Sequence, residues 1–145
     1  VHDFKESLKA GQSGEELFDL AHSEFKRTNG RQGDFINTKT GEKLELKTDS
    51  YDLNHTPNVF IERWSDRGKE KPGGPWQAYE HGCSIYAYYF KKNGIVFYYD
   101  IPKLIDILES KKRSHVWIKN KGWITSGYKV KREELTSALL ETREI

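Results

Sequence analysis

Asp34, Glu45 and Lys47 are the residues of this chain whose types and spacing can do chemistry together. Strand alternation sends Glu45 and Lys47 to one face and Leu44 and Leu46 to the other. With Asp34-Phe35-Ile36-Asn37-Thr38 as the preceding strand and Lys39-Thr40-Gly41-Glu42 as the turn, the antiparallel return brings Glu45 and Lys47 back towards Asp34. Two carboxylates and an ammonium then face one pocket. Hard divalent cations such as Mg²⁺, for which Mn²⁺ can substitute, take oxygens from one or two carboxylates and fill the shell with water and substrate phosphate. Asp34 and Glu45 can supply those oxygens, and Lys47 can hold or deprotonate an attacking water or offset transition-state charge. The same residues also suit a solvated hairpin, so the surrounding elements decide between the two readings.

Those elements begin with Ser13 to Phe25, which reads as an amphipathic helix. Leu17, Phe18, Ala21 and Phe25 recur at helical spacing, and Ser13 with Glu16 matches a capping box. Glu15 and Glu16 both complement the helix dipole. After the hairpin, Asn58-Val59-Phe60-Ile61-Glu62-Arg63-Trp64 reads as a third strand entered from Pro57, with Phe60, Glu62 and Trp64 on one face. An acid among apolar neighbours needs a partner when buried. Glu62 can pair with Lys47, touch a second metal, or meet an ordinary surface cation. The segment from Ser65 to Pro75 is rich in Gly, Pro and charge and reads as a flexible loop. Arg67, Lys69 and Lys71, next to Trp76, suit a flap that grips a phosphate backbone while the indole stacks on a base or sugar. A solvated connector before a buried tryptophan is the competing reading. Trp76 to Gly82 reads as a short helix stopped by Gly82, and Cys83 to Phe90 as a buried strand.

The order of acid, then acid-x-lysine resembles the PD-(D/E)xK nuclease superfamily, with Gly33 where the motif's proline often stands. The likeness in element order spans roughly residues 13 to 90, and its sharp motif spans Asp34 to Lys47. It is similar to small single-domain members such as phage or archaeal Holliday-junction resolvases and related phage nucleases. The resemblance implies a restriction-endonuclease-like αβββαβ core with a mixed central sheet and a C-terminal helical and strand extension. It also implies a glutamate near the start of the first helix as a further metal or water ligand. Glu15 is chosen by its offset from core-facing Phe18, and Glu16 is left as the capping partner. Gln77 holds the place from which family members send a polar residue towards the site. Some branches carry Gln-x-x-x-Tyr there, and this chain has His81 in place of the tyrosine. Residues 1-145 are expected to form a single nuclease-like domain.

The remainder reads as scaffold. Asn93-Gly94 signals a hairpin turn between Cys83 to Phe90 and Gly94 to Tyr99. Asp100, Ile101 and Pro102 open a helix to about Glu109, closed by the cationic Lys111-Lys112-Arg113. Val116 to Lys119 and Gly127 to Val130 read as short strands, and Glu133 to about Glu141 as a terminal helix with Leu135, Leu139 and Leu140 on its buried side.

A formal charge of +2 over 145 residues is nearly balanced, so any basic surface has to be local. No apolar run approaches the roughly 20 residues of a membrane helix. The lone Cys83 excludes an internal disulfide and a multi-cysteine zinc site, and a reducing cytoplasm fits, that of the host if the chain is phage-encoded. The expected activity is a Mg²⁺- or Mn²⁺-dependent endonuclease on duplex or branched DNA. Cutting both strands would favour a homodimer. Two alternatives stand beside it: a non-cleaving nucleic-acid-binding module of the same fold, and an aromatic binding domain presenting Trp64, Trp76, Trp117 and Trp123.

Overall fold

The Asp34 hairpin forms as predicted. In a computed structural model that describes residues 13–19, 22–30 and 33–145, β2 (Gly33–Asn37) and β3 (Lys43–Asp49) pair antiparallel with Phe35 opposite Leu44. The turn is held by Asn37, whose side-chain oxygen accepts from the N–H groups of Lys39 and Thr40 at 2.9 and 3.0 Å. Gly41 supplies the left-handed residue at φ 77°.

The chain is a mixed α/β fold with a mixed central sheet. Residues 13–19 are helical (α1), followed by β1 (Phe25–Gly30), which pairs with β2. After β3 the chain makes β4 (Asn58–Asp66), β5 (Lys71–Pro72) and α2 (Gly74–Glu80), then returns as β6 (Ile85–Phe90) parallel to β3. Parallel pairing requires a crossover of this kind. β7 (Ile95–Asp100), α3 (Ile101–Glu109), β8 (Val116–Lys119), β9 (Ile124–Lys131) and β10 (Leu139–Glu144) complete the fold. The six-stranded sheet runs β1-β2-β3-β6-β7-β10 and a separate four-stranded antiparallel sheet runs β5-β4-β9-β8.

β6 is central and buried on both faces, which is why its sequence is a near-continuous aromatic and aliphatic run. Tyr86, Tyr88 and Phe90 join one core with Val59, Ile61 and Leu104, between the large sheet and the second sheet with α2 and α3. Ala87 and Tyr89 join the other, with Phe18 of α1, Phe35 and Leu44. Tyr88 also ties the sheets together: its hydroxyl donates to Asp49 and accepts the N–H of Phe60 at 3.0 Å. α3 starts where predicted, with Asp100 accepting from the N–H of Lys103 at 3.0 Å. Among the described residues no helix is long and apolar enough to cross a membrane.

Several expectations are corrected. The first helix does not reach Phe25, which instead opens β1; Phe25 packs against the Phe18 core from a strand. Ala21, placed by sequence on the apolar face of that helix, lies outside the described residues. The strand containing Glu62 exists but belongs to the second sheet, so β1 is the remaining strand of the β1-β2-β3 meander. A register shift between Glu62 and Trp64 breaks the expected alternation: Glu62 pairs with Gly127 and Trp64 with Ser126, so the two acquire opposite faces. The Ser65 to Pro75 segment is a short β4-β5 hairpin, with Asp66 paired to Lys71. The terminal helix is absent: Arg132–Ala138 is a 3₁₀ turn and β10 then covers the edge of β7, leaving Leu140 exposed.

Candidate active site

The parallel register sets Glu45 beside Tyr86 and Lys47 beside Tyr88. Both charged residues therefore project from the tyrosine face of the large sheet, while Leu44 and Leu46 pack into the opposite core. Asp34 precedes the Phe35 and Leu44 pair, and its Oδ2 accepts the backbone N–H of Leu46 at 2.8 Å. This holds the first acid against the Glu45-Leu46-Lys47 triplet.

From the second sheet, Glu62 enters the same space. Glu45, Leu46, Lys47, Glu62, Gly74, Gln77 and Tyr86 line one cavity of about 110 Å³. Two glycines make room for Glu62. A Cβ on Gly73 would lie 2.2 Å from Glu62 Oε2, and one on Gly74 would lie 2.3 Å from the Glu62 carbonyl oxygen. The N–H of Gly74 donates to the Glu62 carboxylate. The start of α2 is thus laid against this acid, and Gln77, one turn on, reaches the cavity.

The electrostatics are those of crowded carboxylates. Burial pushes the Glu45 carboxyl up to about 9, reinforced by the charge of Asp34, a side-chain hydrogen bond to Asp34, and the charges of Glu15 and Glu62. Glu62 is raised by burial, opposed by the Lys47 ammonium and the Gly74 N–H. Glu15 is raised by burial and by Asp34, opposed by Arg27, whose Nη2 lies 2.8 Å from Glu15 Oε2. Glu15 therefore stands on the Asp34 side of α1, and Glu16 is exposed.

A divalent cation fits this donor set. Burial and then the charge of Asp34 favour the protonated form of Glu45, and a cation in the proton's place would remove the repulsion. Among the described residues, no group of three or more His, Cys, Asp or Glu side chains lies together so as to hold a metal ion. Mg²⁺ does not ask for such a group, since one or two carboxylates with water and phosphate satisfy it.

The expected nucleic-acid flap is dispersed. Trp76 packs with the Arg63 guanidinium 4.5 Å from its ring centre and Tyr128 edge-on at 6.1 Å, and its indole N–H is buried. Its ring belongs to the α2 and β9 packing and is not free to stack on a base. Arg67 lies over Trp117 instead, at 4.1 Å, while Lys69 and Lys71 are exposed on the β4-β5 hairpin. His81 caps α2 at its C-terminal end and does not line the cavity.

Tyr86, Arg27, Cys83 and the Gly73-Gly74 pair were not legible as site residues. Tyr86 arrives through parallel pairing, which leaves no local sequence mark. Cys83 backs the hairpin: a Cβ on Gly33 would lie 2.4 Å from its Sγ. Burial, then Glu45 and Asp34, push the Cys83 thiol up to about 12. The glycine pair itself was the one available signal for a close approach at Glu62.

Comparison with protein families and with characterised proteins yields no match to this chain.

Proposed function

We propose that this chain is a metal-dependent endonuclease that hydrolyses DNA phosphodiester bonds, built on a restriction-endonuclease-like αβββαβ core. The observation that carries the reading is Asp34 held against the Glu45-Leu46-Lys47 triplet by the Leu46 N–H, with Glu45 and Lys47 lining a cavity that Glu62 shares. The order α1, β1, β2, β3, α2, β6, with β3 parallel to β6, is consistent with that core.

Asp34 and Glu45 would hold Mg²⁺ or Mn²⁺, with Glu15 in support from α1. Bound there, the ion would supply Lewis acidity towards a phosphoryl oxygen and ease deprotonation of water. Lys47 sits on the cavity wall, where its ammonium holds the attacking water or offsets charge building on the phosphate oxygens. Glu62 shares the cavity with Lys47, whose positive charge favours the Glu62 carboxylate. The Gln77 amide offers donors to a phosphate oxygen entering the cavity.

The test is incubation with supercoiled plasmid and with branched DNA, in Mg²⁺, Mn²⁺ or EDTA, beside Asp34→Ala and Lys47→Ala. Nicking or linearisation is expected with metal, none with EDTA, and losses of at least about 100-fold in both variants. Wild-type protein that leaves both DNAs intact in either metal, or an Asp34→Ala variant that cuts equally well, would falsify the reading. A mobility shift without cleavage would favour a binding module of the same fold.

A further inference from the structure

We infer that Trp117 and Arg67 form a stacking platform for an unpaired DNA strand, at the β8 edge of the second sheet. The inference rests on nucleic acid being the substrate and adds a binding surface outside the cavity.

Register builds the platform. Trp117 pairs with Ser126 and Lys119 with Ile124 on edge strand β8, and Ser126 pairs with Trp64 across β9. Alternation therefore puts Trp117, Lys119 and Ile124 on the face that also carries buried Ser126 and core-packed Tyr128, at its outer edge. Trp117 is 51% exposed and Ile124 39% exposed, an apolar surface at the end of a sheet. His115 continues the row, with its ring 5.9 Å from Trp117 and 4.9 Å from Tyr128.

Charge selects the occupant. The Arg67 guanidinium lies 4.1 Å from the Trp117 ring centre, and its backbone N–H donates to the Ile124 carbonyl at 2.8 Å, which anchors the hairpin tip beside the platform. Among the described residues, Arg67, Lys69, Lys71 and Lys119 form no ion pair. His115 is disfavoured as a cation by burial and then by Arg67 and Arg63, which marks a positive local field. The whole chain carries only +2, so this field is local. An exposed indole with the Arg67 guanidinium over its ring and Lys119 two residues along the same strand complements a ligand that is anionic along its length and offers aromatic faces. Single-stranded DNA has both. A duplex keeps its base faces stacked inside and offers the platform only phosphates.

The measurement is fluorescence anisotropy of a labelled single-stranded oligonucleotide and of a blunt duplex of equal length, in EDTA so that nothing is cut. Trp117→Ala is expected to weaken single-strand binding on the order of 10-fold and leave duplex binding unchanged. Trp117→Phe, which keeps a ring, should recover most of the loss. Arg67→Ala should weaken binding and flatten its salt dependence by about one phosphate contact. Circular dichroism melting of each variant separates lost binding from lost folding. Equal single-strand affinity of wild type and Trp117→Ala would overturn the platform, as would equal losses on both DNAs without recovery in Trp117→Phe. Plasmid cleavage in Mg²⁺ is read separately: single-strand binding through Trp117 in a protein that never cuts would sink the nuclease reading and leave the platform standing.

Discussion

Asp34 Oδ2 accepts the backbone N–H of Leu46 at 2.8 Å, so the first acid is fastened to the middle of the Glu45-Leu46-Lys47 triplet. One hydrogen bond thereby links the placement of Asp34 to a strand whose side chains at 45 and 47 already share a face. It also keeps Asp34 beside Glu45, where its charge adds to the burial that raises the Glu45 carboxyl. Geometry and charge at Asp34 can be separated by mutation.

Asp34→Asn keeps an oxygen that can accept from Leu46 and removes the charge. This variant should melt at or above the wild-type temperature and lose at least about 100-fold in cleavage. Asp34→Ala should lose cleavage to a similar extent and also about 1 kcal/mol of stability, because the Leu46 N–H is left without its acceptor. Thermal melting and plasmid nicking on the two variants read the two effects independently.

Glu45 predicts a pH dependence of defined sign. Its carboxyl is raised from 4.5 to about 9 in the fold. Between those values the unfolded chain has lost a proton that the folded chain keeps, so this contribution is fully present below 4.5 and is lost as pH rises through about 9. Glu45→Gln should flatten that fall and raise the metal-free stability at pH 8 by about 1 kcal/mol or more, one pKa unit being worth about 1.4 kcal/mol. Melting curves across the range in EDTA would show it, and parallel slopes for wild type and variant would refute it.

Metal binding should expel the same proton. Calorimetric titration with Mg²⁺ in two buffers of different ionisation enthalpy should report release of on the order of one proton below pH 9. The release should vanish in Glu45→Gln. The gain in melting temperature from Mg²⁺ should grow as pH rises, because less free energy is then spent on deprotonation.

Gly74 is held at φ 48°, and a Cβ there would meet the Glu62 carbonyl oxygen at 2.3 Å. Gly74→Ala should cost about 2 kcal/mol and displace the start of α2, and with it Glu62 and Gln77. Gly68→Ala is the control, since its Cβ would meet only Asp66 Oδ1 at 3.6 Å. Comparable melting temperatures for the two variants would refute the close-approach explanation.

A buried link joins the α1 side of the site to the large sheet. His22 is fully buried, stacks on Phe18, bonds the Phe18 carbonyl oxygen through Nδ1 at 2.8 Å and the Tyr98 hydroxyl through Nε2. Tyr98→Phe should cost about 1–3 kcal/mol, the penalty for an unpartnered buried nitrogen. Burial lowers the His22 pKa, so this contribution is present above pH 6.5 and lost as pH falls through the depressed value. Hydrogen exchange should show faster opening of residues 13–19 in the variant, and unchanged exchange there would count against the link.

What was legible by sequence was local. The Asp34 to Lys47 hairpin rests on Asn37 and Gly41 in its turn, the β6-β7 hairpin on Gly94 at φ 64°, and α3 on Asp100 with Pro102 in its first turn. Each signal acts within a few residues of the element it specifies. Period-two alternation also sufficed to put Glu45 and Lys47 together, because no bulge interrupts β3 in its pairing with β6.

Long-range pairing decided the rest. Phe25 and Leu139 face inward equally well on a helix or a strand, and the open edges of β2 and β7 made them strands. Glu62 lost its expected relation to Trp64 because a bulge against β9 takes up one residue. Chain spacing alone therefore established two acids and a lysine on one hairpin. Only the tertiary structure could bring Tyr86, Glu62 and the α2 glycines around them, because those neighbours come from strand pairing and sheet packing between segments far apart in the chain.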